Sequence, residues 1–411
     1  MRIGYFTSID GWGGSESYLL TLMTGMRARG HEVVLIGIEG SRLFTEVSRL
    51  GWECHAWRQS DIPKNGVSGN FRAHLKSSLN RRIKNTMISF IPDGIKLCMG
   101  NFREALHLTD LIKVIKPDVM HISVNGYEAA VFAAKWAGIP TLAMCMITPP
   151  DDAVGLRQWM MRATVRNSDR VAAQTQACMD SWIKLAGLKV ERCSYIWNGI
   201  DLRRFNVPIT DCKHSGVGPF RLICAARLHP MKGINYLIDA MREVRDLDIV
   251  LNICGTGDEF ESLMLQARQR GVSDRIHFLG QVERLEEQLA LSDAFVLVSV
   301  SHESGPAVLS EAMAAGLPLI TSDFGPLGEI NRHEETGLVV PMHDAASLAQ
   351  AIRRLALDRK MCEQMGKAAR LRAERYCSVD RMCDETHRIY ELVLGEKGAD
   401  NTRKNNEKLR R

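Results

Sequence analysis

The chain begins with short apolar runs separated by stretches of helical period. Residues 2–8 are mostly apolar, a glycine-rich turn follows, and a helical pattern over 15–30 ends at Gly30, where a C-terminal stop is expected. A second apolar run occupies 31–38. A strand, a glycine loop, a helix and a strand within about 40 residues predict a βαβ unit, and hence a parallel sheet covered by helices on both faces.

The same rhythm continues along the chain and breaks once. It recurs at 118–124, at 140–147 and, weakly, at 170–175, and it fails over 206–219, where Pro, Gly, Ser and Asp gather. It then restarts in six apolar runs, at 220–228, 248–255, 275–280, 294–300, 317–321 and 337–340. Two separate sets of alternating strands and helices predict two open α/β domains.

These patterns divide the chain into five segments: an N-terminal Rossmann-like domain over 1–205, a linker over 206–219, a C-terminal Rossmann-like domain over 220–377, an amphipathic helix over 378–395 and a basic tail over 396–411. The tail is polar and charged, so it is predicted to be disordered. Two doubly wound sheets are expected to place the carboxyl ends of their strands, and with them the ligand loops, along a shared crevice.

Composition narrows the class of protein. With 411 residues, 45% of them apolar, the chain is long enough for two or three domains. The first apolar run is too short for a signal peptide, and no run reaches the roughly 18 apolar residues that span a bilayer. The 11 cysteines are odd in number and form no CxxC pair, so neither a disulfide framework nor a zinc site is indicated. A cytoplasmic protein with reduced thiols is expected.

An acidic motif lies in the run from 294 to 321, which reads as strand, loop, helix and strand. Glu303 falls in the loop and Glu311 in the helix. A helix that begins near Gly305 or Pro306 offers unpaired N–H groups to a phosphate. Glu311 can accept hydrogen bonds from the vicinal hydroxyls of a ribose, and Glu303 can reach a second polyol. The alternative is a pair of solvated or helix-capping carboxylates, but an acid in the apolar surroundings of Glu311 needs a partner.

A pair of cations forms the second cluster. Arg227 ends a predicted strand, and Lys232 precedes Gly233 at the start of a helix. Across a strand-to-helix loop, the two can neutralise a diphosphate, Arg by a bidentate fork and Lys as a point charge. Loop cations are usually just solvated, and it is the position at the carboxyl end of a strand that favours the binding role.

Glycine loops follow two of the strands. Gly255 and Gly257 lack the third glycine of the dinucleotide fingerprint, because Phe260 stands there, and the N-terminal loop has Glu16 at the corresponding place. An NAD-dependent oxidoreductase is therefore disfavoured. The two glycines either let a ligand approach the backbone or form a plain tight turn.

Two further short motifs carry residue types that are common in binding sites. Gly13 and Gly14 precede a helix and form a potential cradle for an anion or a sugar. Asp246 and Asp248 form a DxD triplet, but it lies at a helix-to-strand turn with no other cluster of metal ligands, so no metal is expected.

Taken together, these residues resemble family 4 of the retaining GT-B glycosyltransferases over most of 1–395. The motifs that carry the resemblance are WGGSE (12–16), NGID (198–201), AARLHPMKG (225–233), CGTGDE (254–259), FLGQV (278–282), HESGPAVLSEAMAAGLP (302–318), DFGPLGEI (323–330) and TGLVVP (336–341). The resemblance implies two Rossmann-like domains facing a cleft, with the C-terminal helix crossing back to the first domain. It also implies metal-independent transfer from a nucleotide-diphosphate sugar, with retention of anomeric configuration and without a cofactor.

The resemblance also assigns roles to single residues. Arg227, Lys232 and Glu303 would form the catalytic group, with the two cations on the diphosphate and the carboxylate on the donor sugar. Glu311 would bind the ribose. The remaining predicted donor contacts come from backbone or from small side chains, at Gly13, Gly14, Gly255, Val282 (near the nucleobase), Gly305, Ala307 and Val308.

The chain departs from the family pattern at three places. Ser123 stands where the family commonly has a sugar-binding histidine, and Met146 stands where another histidine is usual. Gly305 and Pro306 replace an aromatic residue and a glycine. Ser123 or Asn125 is the candidate for the missing sugar contact.

His121 keeps only the first histidine of its motif, and a packing role is expected for it. The lost histidines leave a second hypothesis open, a non-catalytic nucleotide-sugar-binding protein or partner subunit. The favoured hypothesis is a hexosyltransferase that acts on a precursor of a cell-surface polysaccharide or glycolipid.

The positive charge of the chain is concentrated before residue 104. The net charge is +5, and residues 61–103 alone hold eight Lys or Arg against two Asp. Within 70–104, cations alternate with apolar residues spaced by four, as in a basic amphipathic helix. We expect either a peripheral contact with an anionic membrane at its inner face, which would suit a lipid-linked acceptor, or a helix packed on the first domain with its basic face in solvent. No nucleic-acid partner is expected.

Overall fold

The chain folds into two compact units. The computed structural model describes residues 1–9, 13–57, 93–125, 128–150, 154–205 and 218–409, so most of the basic segment 70–104 and of the predicted linker 206–219 lies outside the described residues. One unit contains 1–172, 182–194 and the chain from Thr386, and the other contains 173–181 and 195–385. Residues 195–205 thus belong with the second unit, although the sequence predicts a boundary at 205.

A seven-stranded sheet forms the first unit, in the order β3-β2-β1-β4-β5-β6-β7. Its strands are β1 (Arg2–Phe6), β2 (Glu32–Ile38), β3 (Glu53–Trp57), β4 (Val119–Val124), β5 (Thr141–Cys145), β6 (Arg170–Ala173) and β7 (Cys193–Tyr195). The helices of this half of the chain are α1 (Gly14–Ala28), α2 (Arg42–Arg49), α3 (Asp93–Ile115), α4 (Ala129–Ala137), α5 (Gly155–Asn167) and α6 (Gln176–Ala186).

The apolar runs become the inner strands, and the sequence misses the two edges of the sheet. Strands β1 and β4 pair in parallel and are buried almost throughout, as expected for strands covered on both faces. Edge strand β3 is half-exposed, so its residues do not form an apolar run. The other edge strand, β7, has three residues and no fully buried position.

A six-stranded sheet forms the second unit, in the order β10-β9-β8-β11-β12-β13. Its strands are β8 (Phe220–Ala225), β9 (Ile249–Cys254), β10 (Ile276–Gly280), β11 (Ala294–Leu297), β12 (Leu319–Ser322) and β13 (Gly337–Val340). The following helices are α7 (Ile234–Glu243), α8 (Phe260–Arg270), α9 (Leu285–Ala290), α10 (Ala307–Ala314), α11 (Gly325–Ile330), α12 (Ala345–Leu357), α13 (Arg359–Tyr376) and α14 (Val379–Leu409). The predicted pair of Rossmann-like α/β domains is thereby confirmed.

Each sheet has one point at which the order of its strands reverses. In the first unit the reversal lies between β1 and β4, and in the second between β8 and β11. At such a point the connections leave in opposite directions, which opens a crevice at the carboxyl ends of the two strands. The loops that follow these four strands are therefore where ligand-binding residues are expected.

The last helix is longer than the sequence predicts. Helix α14 continues through Leu409, whereas the sequence predicts a helix that ends at 395 and a disordered tail. The stretch 396–411 contains no proline, and eight of its 16 residues are Glu, Lys or Arg, which tolerate the helix well. Among the described helices, none is both long enough and apolar enough to cross a bilayer.

Candidate functional site

The loop after β8 packs closely on the loop after β11, at the point where the strand order of the second unit reverses. Gly233, between a 3₁₀ turn and α7, has φ of 64°, and a Cβ there would overlap the carbonyl oxygen of Val298. The N–H of Val300 donates to the carbonyl of Met231 at 2.8 Å. Glycine is thus required by both backbone conformation and close approach, and the contact fixes where Lys232 points.

Lys232 and Glu303 form an ion pair between these two loops. The Lys232 ammonium binds Oε1 of Glu303, and the hydroxyl of Ser299 donates to the same oxygen at 2.7 Å. Both side chains are largely buried, with 15% and 9% of their surface exposed. These two donors leave Glu303 Oε2 without a partner from the described residues. The structure brings together two residues that lie 71 positions apart in sequence, and it adds Ser299, which the sequence analysis missed.

Arg227 lies on the same loop but apart from this pair. Its side chain is exposed, and Nη2 approaches the sulfur of Met231 at 3.6 Å. An exposed guanidinium five residues before Lys232 can swing onto a ligand without breaking an ion pair. Its predicted contact with a diphosphate remains a prediction.

The amino end of α10, four residues after Glu303, presents N–H donors without an acceptor among the described residues. Ala307 and Val308 are its first residues, and their N–H groups have no acceptor among the described residues. Unpaired N–H groups and the positive end of the helix dipole favour an anion. The helix begins one residue later than predicted, because Pro306, with ψ of 116°, is the N-cap rather than the first helical residue. Glu311 is the fifth residue of the helix and lies about one turn from its start.

Glu311 is surrounded by charges that the sequence analysis did not single out. Burial raises the pKa of the Glu311 carboxyl, nearby Arg204 offsets part of this rise, and nearby Glu286 adds to it. Arg204 and Glu286 are themselves paired, at 2.8 Å between Nη2 and Oε2. A carboxyl that is costly to ionise when the site is empty gains most from ligand hydroxyls that donate to it. No sequence motif pointed to this pair, because Glu311 meets it only in the folded unit.

The glycines after β9 pack two loops together. Gly255 has φ of 138°, and a Cβ there would overlap the carbonyl oxygen of Ala226; a Cβ at Gly257 would overlap that of Leu228. The close approach of the loop after β8 explains why both positions are glycine, which favours the alternative of a plain tight turn. The predicted ligand contact of Gly255 stays a prediction. After β10, Val282 is partly buried against the apolar core of the second unit.

In the first unit, Gly13 and Gly14 lie at the start of α1. The N–H of Gly13 donates to the carboxylate of Glu16 at 2.8 Å, and no heavy atom lies within 4 Å of a Cβ built on Gly14. Glu16 is buried, its Oε1 has no partner, and burial raises the pKa of its carboxyl. Glu16 therefore acts as a helix cap, where the sequence showed only a residue that breaks the dinucleotide fingerprint.

Ser123 and Asn125 lie at the carboxyl end of β4, across the reversal point from α1. Ser123 Oγ and Asn125 Nδ2 are buried without a partner among the described residues. A buried polar group without a partner costs roughly 1–3 kcal/mol, which a ligand can recover. The two residues predicted to contact the sugar therefore each offer one unsatisfied polar atom.

His121 has the packing role that the sequence analysis expected. It is fully buried, its Nδ1 lies 2.8 Å from the hydroxyl of Tyr390, and its ring lies against Tyr5 and Tyr18. Burial lowers the pKa of His121 to about 3, so the ring is neutral at physiological pH.

Comparison with known proteins gives the same picture along nearly the whole chain. The family model described as Glycosyltransferase Family 4 matches residues 12–204, and the model described as Glycosyl transferases group 1 matches residues 213–372. The two matches follow each other along the chain and are separated by residues 205–212, which overlap the predicted linker.

Individual relatives and solved structures agree with these models. The chain is 27% identical to the phosphatidyl-myo-inositol mannosyltransferase of Mycobacterium leprae, over 96% of this chain and 97% of that protein. It is 33% identical to the glycogen synthase of Mycobacterium tuberculosis, over 51% of this chain and 50% of that protein. The fold matches that of HepE from Anabaena in complex with UDP-glucose, with a TM-score of 0.76 at 18% identity, over 96% of this chain and 100% of that one.

Proposed function

Because the chain belongs to the family 4 glycosyltransferases of the GT-B fold, we propose that it transfers a hexosyl unit from a nucleotide-diphosphate sugar to a hydroxyl acceptor, with retention of anomeric configuration. The observation that carries this proposal is the buried pair of Lys232 and Glu303 at the reversal point of the second sheet, with the free N–H groups of α10 following on the same loop. The HepE structure with UDP-glucose supports a nucleotide sugar as donor.

Each group of the site has one task on the donor. The N–H groups of Ala307 and Val308 receive phosphate oxygens, and Lys232 and Arg227 neutralise the diphosphate as its charge grows. Glu303 Oε2 accepts from a sugar hydroxyl, and Glu311 accepts from the ribose. These contacts hold the donor with its anomeric carbon exposed to an acceptor.

The reaction needs no nucleophile from the protein. The acceptor oxygen bonds to the anomeric carbon on the face that the diphosphate leaves, and the bond from that carbon to the phosphate oxygen breaks. The proton of the acceptor hydroxyl passes to the departing phosphate oxygen. Charge develops on the diphosphate, where Lys232 and the N–H groups of α10 are already in place and lower the barrier without reorganising, so a metal ion is not required by this scheme.

For the acceptor, we propose a precursor of a cell-surface polysaccharide or glycolipid. The similarity to an enzyme named for a phosphatidyl-inositol acceptor supports this class. The alternative, a nucleotide-sugar-binding protein without turnover, is favoured by Ser123 and Met146 in place of the family's histidines.

A panel of UDP- and GDP-sugars tests donor binding through thermal unfolding. A ligand at a hundred times its Kd stabilises the folded state by about 2.7 kcal/mol, so a true donor is expected to raise the Tm of a chain of this length by about 3 °C or more. The same panel with free glucose and mannose is the control and is expected to give no shift. A panel in which no nucleotide sugar raises Tm at millimolar concentration contradicts the proposal.

We further propose a peripheral contact with anionic membrane through residues 70–104. Of this segment, the exposed ring of Phe102 is described, and it lies edge-on to the exposed ring of Trp136 at 5.6 Å. Aromatic rings beside cations suit the headgroup region. Binding to phosphatidylserine-rich vesicles is expected at low salt and is expected to be lost at about 1 M salt, where the Debye length falls to about 3 Å. Equal binding to neutral phosphatidylcholine vesicles, or none at low salt, would overturn it.

A further inference from the structure

The loop that carries Glu303 is held from behind by two buried amide side chains. Gln174 follows β6 and Asn198 follows β7, and both belong to the second unit. The Nδ2 group of Asn198 donates to the carbonyl of Gly305, and Nε2 of Gln174 donates to Oδ1 of Asn198 at 2.7 Å. Gln174 and Asn198 are 5% and 6% exposed. Buried amides that satisfy each other in a chain fix one geometry, because any other arrangement leaves a polar group unpaired.

Ser304 is held in the same way. The hydroxyl of Thr175 donates to the Ser304 carbonyl at 2.6 Å, and the N–H of Gln174 donates to the Ser304 hydroxyl at 3.3 Å. Thr175 is fully buried. The carbonyls of two consecutive residues, Ser304 and Gly305, thus accept hydrogen bonds from Thr175 and Asn198.

Gly305 lacks a side chain because Gln174 occupies its place. A Cβ on Gly305 would lie 2.8 Å from Cβ of Gln174 and 3.4 Å from Cγ2 of Thr175. Its φ is not in the left-handed region, so conformational freedom is not the reason for glycine here. Glycine stands at 305 instead of the family's aromatic residue because Gln174, which lies 131 residues earlier in the sequence, fills the space that a side chain would need.

One carboxylate, that of Glu329, holds the two segments that carry Gln174 and Asn198. Glu329 accepts from the N–H groups of Gln176 at 3.1 Å and Ala177 at 2.8 Å, at the start of α6, and from the indole of Trp197 at 3.3 Å. A carboxylate at a helix amino end is favourable. The residue before Asn198 and the residues after Thr175 are thus held by one group.

We propose that Gln174 and Asn198 are positioning residues for donor binding and turnover: they set the loop from Ser304 to Pro306 so that Glu303 and the N–H groups of α10 meet the donor together. This inference rests on the proposed function. Gly305 lies two residues after Glu303 and two before Ala307, so its displacement moves both. A misplacement of about 1 Å can cost about a hundredfold in rate.

The test adds a Cβ at residue 305, where it would overlap the Cβ of Gln174. Gly305→Ala is expected to lower kcat/KM for the donor about a hundredfold and to weaken donor affinity, measured by calorimetry at a temperature well below Tm. Adding Gln174→Ala keeps the Cβ and is expected to give no recovery. Adding Gln174→Gly removes the overlap but also the amide that holds Asn198, so it is expected to recover about tenfold of the hundredfold loss and no more. Gly328→Ala, in α11 with no atom within 4 Å of the new Cβ, is the matched control and is expected to change nothing.

A second variant separates positioning from simple stability. Asn198→Asp keeps the acceptor for Gln174 and removes the donor to the Gly305 carbonyl, so it is expected to weaken donor affinity about tenfold. If these variants lower only Tm, with kcat and donor affinity unchanged, the residues are structural and the inference is wrong. If wild type itself binds no nucleotide sugar, the proposed function fails instead, so the two failures are distinct.

Discussion

Replacing Lys232 with methionine is expected to lower donor turnover by about a hundred- to a thousandfold. The ammonium is held at the carboxyl end of β8 by the glycine that follows it and by its pair with Glu303. Removal of one preorganised group that stabilises developing charge typically costs this much in kcat. The measurement is steady-state release of nucleoside diphosphate, and Lys360→Met, at an exposed lysine of α13, is the control.

Stability has to be separated from catalysis in this variant. Lys232→Met leaves Glu303 buried and unpaired, which is expected to lower the free energy of unfolding by about 3–5 kcal/mol. Adding Glu303→Gln removes the unpaired charge, so the double variant is expected to regain most of this stability in urea unfolding. It is not expected to regain turnover. Recovery of turnover together with stability would mean that the pair serves only the fold.

Replacing Glu311 with glutamine is expected to weaken donor affinity by about ten- to a hundredfold, since a hydrogen bond to a charged group contributes roughly 1.5–3 kcal/mol. The expected contact is the ribose, so affinity for the free nucleoside diphosphate is expected to fall by the same factor. Glu335→Gln, at an exposed position, is the control. If calorimetric titration gives the same Kd for wild type and the Glu311 variant, Glu311 does not contact the donor.

Glu311→Gln is also expected to change how the free energy of unfolding depends on pH. The folded-state pKa of Glu311 is raised above 4.5 by burial, so the folded state binds more protons than the unfolded state in the window above 4.5. The contribution of this group to stability is therefore lost as pH rises from about 4.5 through the folded pKa. Glu311→Gln is expected to be at least as stable as wild type at pH 7, with an advantage that shrinks towards pH 4. A less stable variant at pH 7 would mean that attraction to Arg204 outweighs burial.

The two α/β domains are readable from the sequence because buried parallel strands leave uninterrupted apolar runs. Edge strands β3 and β7 leave none, and both are missed. The residue types of the donor site are also readable, since Lys232 and Glu303 each follow an apolar run and precede a helix. Their contact is not readable, because it depends on β11 returning beside β8, and strand order is not written in local periodicity.

The residues that hold the site in place cannot be predicted from local sequence patterns, for a similar reason. Gln174 and Asn198 lie more than 100 residues before the loop that they hold, and amides in loops are ordinary in sequence. Arg204 and Glu286 meet Glu311 only through tertiary packing. Gly305 stood out as a departure from a family pattern, but its reason is the volume of a distant side chain.

Turnover of a nucleotide sugar at this site is tested most directly by proton NMR of donor hydrolysis without an acceptor. Wild type is incubated with the nucleotide sugar that raises its Tm, and the anomer of the released sugar is followed before it mutarotates. We predict slow release of the sugar in the donor's own anomeric configuration, and none above background from the Lys232→Met variant. A donor that binds tightly and is never released as sugar and nucleoside diphosphate, even with candidate acceptors added, would contradict the enzyme and leave a binding protein.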